Sequence, residues 1–233
     1  MDRNPGKIVV LTGAGVSAES GLGTFRDKGG VWTRYDLNEV ATPEGFRRDP
    51  TKVHDFYNAR RKNAAGAKPN GAHAALARLA RDYPGEVVII TQNVDSLHEA
   101  AGTAAIHMHG RLDRASCTSC GAGWDAPMEM HAADACPECS EPATRPDVVW
   151  FGEVPHALDE IAGHLEAAVV FAAIGTSGQV HPAAGFVSEA RRAGAHTIEI
   201  NLAESDISAL FHERIEGPAT QCVPLWVERL LNA

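Results

Sequence analysis

Four of the five cysteines, Cys117, Cys120, Cys136 and Cys139, fall in the spacing C-x2-C-x15-C-x2-C. Two such knuckles can close a tetrahedral set of thiolates around Zn2+, and four protein ligands leave no position for a reacting water, so the site reads as structural. Disulfides are the alternative. They are disfavoured because the opening MDRNPGKIVVLTGAG enters a strand pattern directly, without the basic flank, long apolar run or cleavage site of a secretory leader. Between 111 and 146, Arg111, Arg114 and Arg145 stand against Asp113, Asp125, Glu129, Asp134, Glu138 and Glu141. That acidic balance repels phosphates, and with the net charge of −9 it argues against nucleic acid as a partner.

A second group of residues suits proton transfer. In HMHG, His107 and His109 alternate in a short extended segment and point to one side, where either can take and return a proton near neutral pH. Spacing does not choose between them, and a metal pair is the alternative. A third group suits a dinucleotide: Gly13-x-Gly15-x-x-Ala18 follows a strand and opens a helical turn, where glycines let the backbone approach a pyrophosphate. No acidic strand end follows about 20 residues later to hold a ribose, so Asn201 is the candidate for that contact. Gln92-Asn93-Val94-Asp95 and Gly175-Thr176-Ser177 close two further strands; singly, each equally reads as a turn or helix cap. Finally, FYNARR (56–61) presents Tyr57 and Arg60 one helical turn apart on the face that carries Val53. A phenol and a guanidinium aimed into a cleft suit a carboxylate; the alternative is a core tyrosine beside a solvated arginine.

The elements that must position these groups alternate. KIVVLT (7–12), EVVIIT (86–91), DVVWF (147–151), AAVVFAAIGTS (167–177) and HTIEIN (196–201) are short β-rich runs, mostly separated by helical patterns such as NGAHAALARLARDYPG and PAAGFVSEARRAG. This predicts an α/β fold, a Rossmann-like parallel sheet with helices on both faces. The four-cysteine stretch breaks the alternation and reads as an inserted zinc-ribbon module at 112–146, leaving 1–111 and 147–233 as the dinucleotide-binding, Rossmann-like domain. GLGTFRDKGGVW reads as a mobile loop, and Cys222 in TQCVPLW as a buried strand residue. No apolar run reaches membrane-spanning length, and the expected setting is a reducing cytoplasm.

Taken in order, GAGVSAESGLGTFR, TQNVD, HMHG, the paired CxxC, VVWFGE, GTS and INLAES resemble the sirtuins, NAD-dependent protein lysine deacylases, over nearly the whole chain. FYNARR resembles the signature of their class III (CobB-like) branch, in which a Tyr and an Arg three apart recognise acidic acyl groups. The resemblance implies NAD contacts from Gly13, Ala14, Gly15, Ser17, Glu19, Thr24, Phe25 and Arg26, with Gln92, Asn93, Val94 and Asp95 on the nicotinamide side. Gly175, Thr176, Ser177, Asn201, Leu202 and Ala219 would hold the adenosine half. His109 matches the general base, with Asn93 as a fixed dipole. Substrate peptide would lie along Val149, Trp150, Phe151 and Gly152, with Tyr57 and Arg60 on the acyl group. Gly23 departs from the Pro or Arg frequent there, which bears on loop behaviour and not on chemistry.

The implied reaction is attack of the acyl-lysine carbonyl oxygen on C1′ of the nicotinamide ribose, yielding nicotinamide, lysine and O-acyl-ADP-ribose. Zinc takes no part. The expected partners are acylated lysines (acetyl, succinyl and malonyl) in proteins, with neither nucleic acid nor membrane, and the chain is expected to be a monomer. A mono-ADP-ribosyltransferase shares the first step; a dehydrogenase and a zinc-ribbon adaptor are the remaining alternatives.

Overall fold

The computed structural model describes residues 5–23 and 36–232. Thr24, Phe25 and Arg26, and most of GLGTFRDKGGVW, therefore lie outside the described residues. Along the chain run strands β1 (Lys7–Thr12), β2 (Glu86–Thr91), β3 (Ile106–His107), β4 (Gly110–Cys117), β5 (Gly123–Asp125), β6 (Thr144–Val148), β7 (Ala168–Ile174), β8 (His196–Asn201) and β9 (Glu213–Glu216). Six of them form one sheet in the order β3-β2-β1-β7-β8-β9, every pairing parallel.

Side chains on a strand alternate faces, and on β1 both faces are buried: Ile8 and Val10 turn one way, Val9 and Leu11 the other. Such a strand needs cover on both sides. Helices Gly71–Asp82 and Ala219–Leu231 supply it on one face through Leu76, Leu79, Val223 and Trp226. Helices Leu158–Glu166 and Phe186–Arg192 supply it on the other through Ile161, Leu165, Phe186 and Val187.

The remaining strands form a small antiparallel sheet in the order β5-β4-β6. Helix Pro50–Ala65 packs against it. Its start is written locally: Asp49 accepts a hydrogen bond from the Lys52 amide at 3.0 Å, and Pro50, which has no amide proton to orphan, takes the first helical position. Val53, Phe56 and Tyr57 from this helix share a core with Leu112, Val148 and Trp150.

Three expectations need correction. DVVWF is not a strand of the parallel sheet: β6 ends at Val148 and pairs antiparallel with β4. Beyond it the Val149 and Phe151 amides donate to His109 and Ala41 carbonyls, while Arg145 stacks on Trp150 and pairs with Glu153, so the chain turns away from sheet pairing. Cys222 is half-buried and lies in helix Ala219–Leu231, where the internal Pro224 disguised a helix as an extended run. The short extended segment expected at HMHG covers only β3, since Met108 and His109 form a turn, and the edge strand β9, which alternates exposed and half-buried residues, was not expected.

Candidate functional site

In a parallel sheet every strand ends at the same edge, so β2, β1, β7 and β8, which are neighbours in that order, bring Gln92–Asp95, Gly13–Ser17, Gly175–Ser177 and Asn201 onto one rim. The chain builds outward from β1 to β2 and β3, then crosses to β7 on the other side, so the crevice where open α/β sheets bind ligands lies between β1 and β7. There the two turns nearly touch. A Cβ on Gly15 would come within 2.6 Å of the Gly175 Cα, and one on Gly13 within 2.7 Å of the Gly175 carbonyl. Gly175 itself has φ +63°, and its carbonyl accepts the Gly15 amide at 2.9 Å. These glycines are thus demanded by the approach of one turn to the other.

The polar strand ends knit into a network. The Asn93 side-chain amide donates to the Gly13 carbonyl and to Ser17 Oγ, each at 3.1 Å, and Ser17 Oγ donates to Asp95 Oδ2 at 3.1 Å. Asp95 Oδ1 accepts the Leu97 amide, and Asn201 donates to the Thr176 carbonyl at 2.7 Å. Ser17, Asn93, Asp95 and Thr176 are all buried. Beside Asn201 opens a cavity of about 190 Å³, lined also by Glu199, Glu204, Arg214 and Glu216. Leu202 is exposed and Ala219 buried at the start of the last helix. Glu19 has another engagement: its carboxylate accepts the amide and hydroxyl of Thr220, stabilising the start of that same helix.

The histidines separate by what holds them. Both reach the TQNVD turn from one side, His109 Nδ1 to the Gln92 carbonyl and His107 Nδ1 to the Asn93 carbonyl, each at 3.1 Å. A carbonyl only accepts, so each Nδ1 carries a proton. His107 is nearly buried, and its Nε2 meets Glu99 Oε1 at 3.0 Å, so both its nitrogens face acceptors. His109 has no such second partner among the described residues. With its proton fixed on Nδ1, its Nε2 presents the lone pair that a general base requires. Burial pushes its basicity below the usual histidine value, the Gln92 bond opposing and the nearby His156 adding to the effect.

Beneath the rim lie groups that sequence reasoning missed. Thr12 Oγ1 joins Thr91 Oγ1 at 2.8 Å and His98 Nε2 at 3.0 Å, and the His98 ring packs edge-on to His73, 5.0 Å between centroids. Burial, with His73 adding, drives His98 down to about 3, so it is neutral. Threonines closing two adjacent apolar strands were the available signal.

Tyr57 and Arg60 do lie on one face. The Tyr57 hydroxyl accepts from Trp150 Nε1 at 2.9 Å, and the Arg60 guanidinium carbon lies 5.8 Å from the centroids of both the Tyr57 and Phe56 rings. Arg60 is half-buried; desolvation pulls its proton affinity down, opposed by Tyr57, through its charge and a hydrogen bond, and by the charge of Asp95. Burial likewise raises the Tyr57 phenol. Of the proposed peptide track, Val149 is half-buried and Phe151 and Gly152 are exposed, but Trp150 is 3% exposed and sits inside the small core.

The four cysteines converge. Cys117 and Cys139 sulfurs are 3.7 Å apart, Cys120 and Cys136 3.8 Å, and all four lie within 4.8 Å of one another. A disulfide needs about 2.05 Å, whereas a tetrahedron with Zn–S bonds of about 2.3 Å has edges of about 3.8 Å. The thiols fit zinc.

The Sir2 family model matches residues 13–182. The chain belongs to the Sir2 family. An NAD-dependent protein deacylase of Caulobacter vibrioides is 57% identical over 230 residues, covering 97% of each chain. A solved Sir2 homologue in complex with NAD is 39% identical, with a TM-score of 0.89 over 97% of this chain and 90% of that one. A Sir2 structure bound to acetylated peptide superposes with a TM-score of 0.79 at 26% identity, covering 97% and 92% of the two chains. The rim therefore sits on a Sir2 scaffold, with its β1–β7 crevice and four-cysteine cluster in place. Among the described residues no helix is long and apolar enough to cross a membrane.

Proposed function

We propose that this Sir2-family chain uses NAD to remove acyl groups from protein lysines, taking acidic succinyl and malonyl groups as well as acetyl. The observation that carries the reaction class is His109, whose proton is held on Nδ1 by Gln92 so that Nε2 faces out as a base on the same rim as the glycine turns. Bound NAD supplies an electrophilic ribose carbon with nicotinamide as its leaving group. This chain's residues do the rest. The glycine turn after β1, with Ser17, would lie at the pyrophosphate position, and Asn201 with its neighbouring cavity would take the adenosine half. Asn93 and Asp95, locked through Ser17, present fixed dipoles at the nicotinamide side, where a preorganised, poorly hydrated site stabilises developing charge. His109 Nε2 then removes a ribose hydroxyl proton.

The acyl class rests on Tyr57 and Arg60. Trp150 donates to the phenol oxygen, which leaves the phenol's own proton to be given to an acceptor, and a desolvated guanidinium stands beside it. An acyl carboxylate answers both. Zinc held by Cys117, Cys120, Cys136 and Cys139 would be structural, its four ligands leaving no reacting position. Four thiols gathered for a metal support a reducing cytoplasmic setting.

The test is to incubate the protein with acetyl-, succinyl- and malonyl-lysine peptides with and without NAD and to follow free lysine peptide by mass spectrometry. Release from the acidic acyl peptides that requires NAD is expected. Release from acetyl-lysine alone would refute the acyl class, an ADP-ribosyl adduct on the peptide would favour a mono-ADP-ribosyltransferase, and NADH would mark a dehydrogenase.

A further inference from the structure

Helix Pro50–Ala65 carries two stripes of identical spacing, offset by one residue. Val53, Tyr57 and Arg60 form one; His54, Asn58 and Arg61 form the other, rotated by about 100° around the axis. The first stripe faces Trp150 and the cleft. The second is polar yet almost fully buried, at 1%, 7% and 5% exposure, and all three side chains bond to main chain of the four-cysteine segment and its flanks. His54 Nε2 meets the Thr144 carbonyl at 3.2 Å. Asn58 pairs with both peptide groups of Met130, donating to the carbonyl at 2.9 Å and accepting the amide at 3.0 Å. Arg61 donates to the carbonyls of Leu112 (2.7 Å) and Met128 (3.2 Å), and to Asn58 Oδ1 at 2.8 Å.

Apolar side chains would hold a helix against a sheet while tolerating small rotations. Directional bonds to fixed carbonyls do not, because they weaken steeply off-axis. We infer that Asn58 and Arg61 are positioning residues for acyl selectivity: they fix the rotation of the helix, and so the place where Tyr57 and Arg60 meet an acyl carboxylate. Side-chain tips stand about 5–6 Å from a helix axis, so a rotation of about 10° displaces them by about 1 Å. A misplacement of about 1 Å costs up to 100-fold where geometry is demanding. An acetyl group has no carboxylate to align and is indifferent to the rotation. The inference rests on the proposed role of Tyr57 and Arg60.

The experiment measures kcat/KM for succinyl- and acetyl-lysine peptides on the same preparations of Asn58→Ala, Arg61→Lys, Arg60→Met and the double variant Arg60→Met/Arg61→Lys. The ratio of the two values cancels the folded fraction, so partial unfolding does not mask the result, and Arg61→Lys keeps the charge while losing the fork if Asn58→Ala yields too little protein. The expected result is a fall in the succinyl/acetyl ratio of roughly tenfold in Asn58→Ala and in Arg61→Lys, carried by KM for the succinyl peptide. Zinc content should stay unchanged, and Arg61→Lys should add nothing to the ratio in the Arg60→Met background. A ratio equal to the parent's in Asn58→Ala and Arg61→Lys, while Arg60→Met collapses it, overturns this inference alone. A ratio unmoved by Arg60→Met overturns the underlying acyl assignment and this inference with it.

Discussion

Replacing Arg60 with Met keeps a flexible apolar stem and removes the guanidinium. A hydrogen bond to a charged group contributes about 1.5–3 kcal/mol, which alone predicts a loss of roughly 10- to 150-fold on an acidic acyl-lysine. The structure narrows that range from above. Arg60 already feels the charge of Asp95, which lessens what a further carboxylate adds and puts the expected loss toward the lower end of that range. The contact exists in ground state and transition state alike, so the change belongs in KM. Tyr57→Phe behaves differently: it strips the acceptor from the Trp150 indole N–H, leaving a buried donor unpaired, and should lower stability by about 1–3 kcal/mol as well as weaken succinyl use. Steady-state kinetics on succinyl- and acetyl-peptides, with thermal unfolding of each variant, separate the two effects. Equal losses on both substrates with Arg60→Met, or none on either, would refute the reasoning and make FYNARR a structural helix.

Three further outcomes are expected. His109→Ala should abolish deacylation while NAD binding, followed by calorimetry, persists; because burial disfavours the imidazolium, the acid limb of kcat/KM should have its midpoint below 6.5, with activity present above it and lost as pH falls. A midpoint above 6.5, or a smaller effect than that of His107→Ala, would contradict the assignment within HMHG. His98 is neutral when folded, down to about 3, and protonates near 6.5 when unfolded, so its contribution to stability is full above pH 6.5 and is lost as pH falls toward 3; denaturant titrations should show a loss of about 2 kcal/mol by pH 5 that His98→Gln removes. Chelation, or Cys117→Ser, should strip the metal and lower the melting temperature by unfolding the small sheet, since the thiols alone cannot hold the β4–β6 connection; elemental analysis finding no zinc in the purified protein would count against the site.

The parallel sheet was readable because KIVVLT and AAVVFAAI are buried on both faces and admit few other structures, and the four cysteines were readable because their spacing has one economical use. The rim followed from parallel order alone. VVWF misled because its apolar pattern is that of a buried strand, whereas its amides are taken by His109 and Ala41, long-range partners that no local pattern announces. The stripe His54, Asn58 and Arg61 was not legible for the same reason: polar residues at helical spacing do not reveal their burial until the module that binds them is in place. HMHG could not be divided by spacing, and it was divided by Glu99, eight residues upstream of His107, which occupies one histidine and leaves the other open.

The most direct test of the account is the identity of the co-product. With NAD and a succinyl-lysine peptide, mass spectrometry should find O-succinyl-ADP-ribose, nicotinamide and free lysine peptide in equal amounts, and none of them with His109→Ala. Free succinate formed while NAD stays intact would mean simple hydrolysis, and would contradict the claim that the rim of β1, β2, β7 and β8 joins NAD to the acyl group.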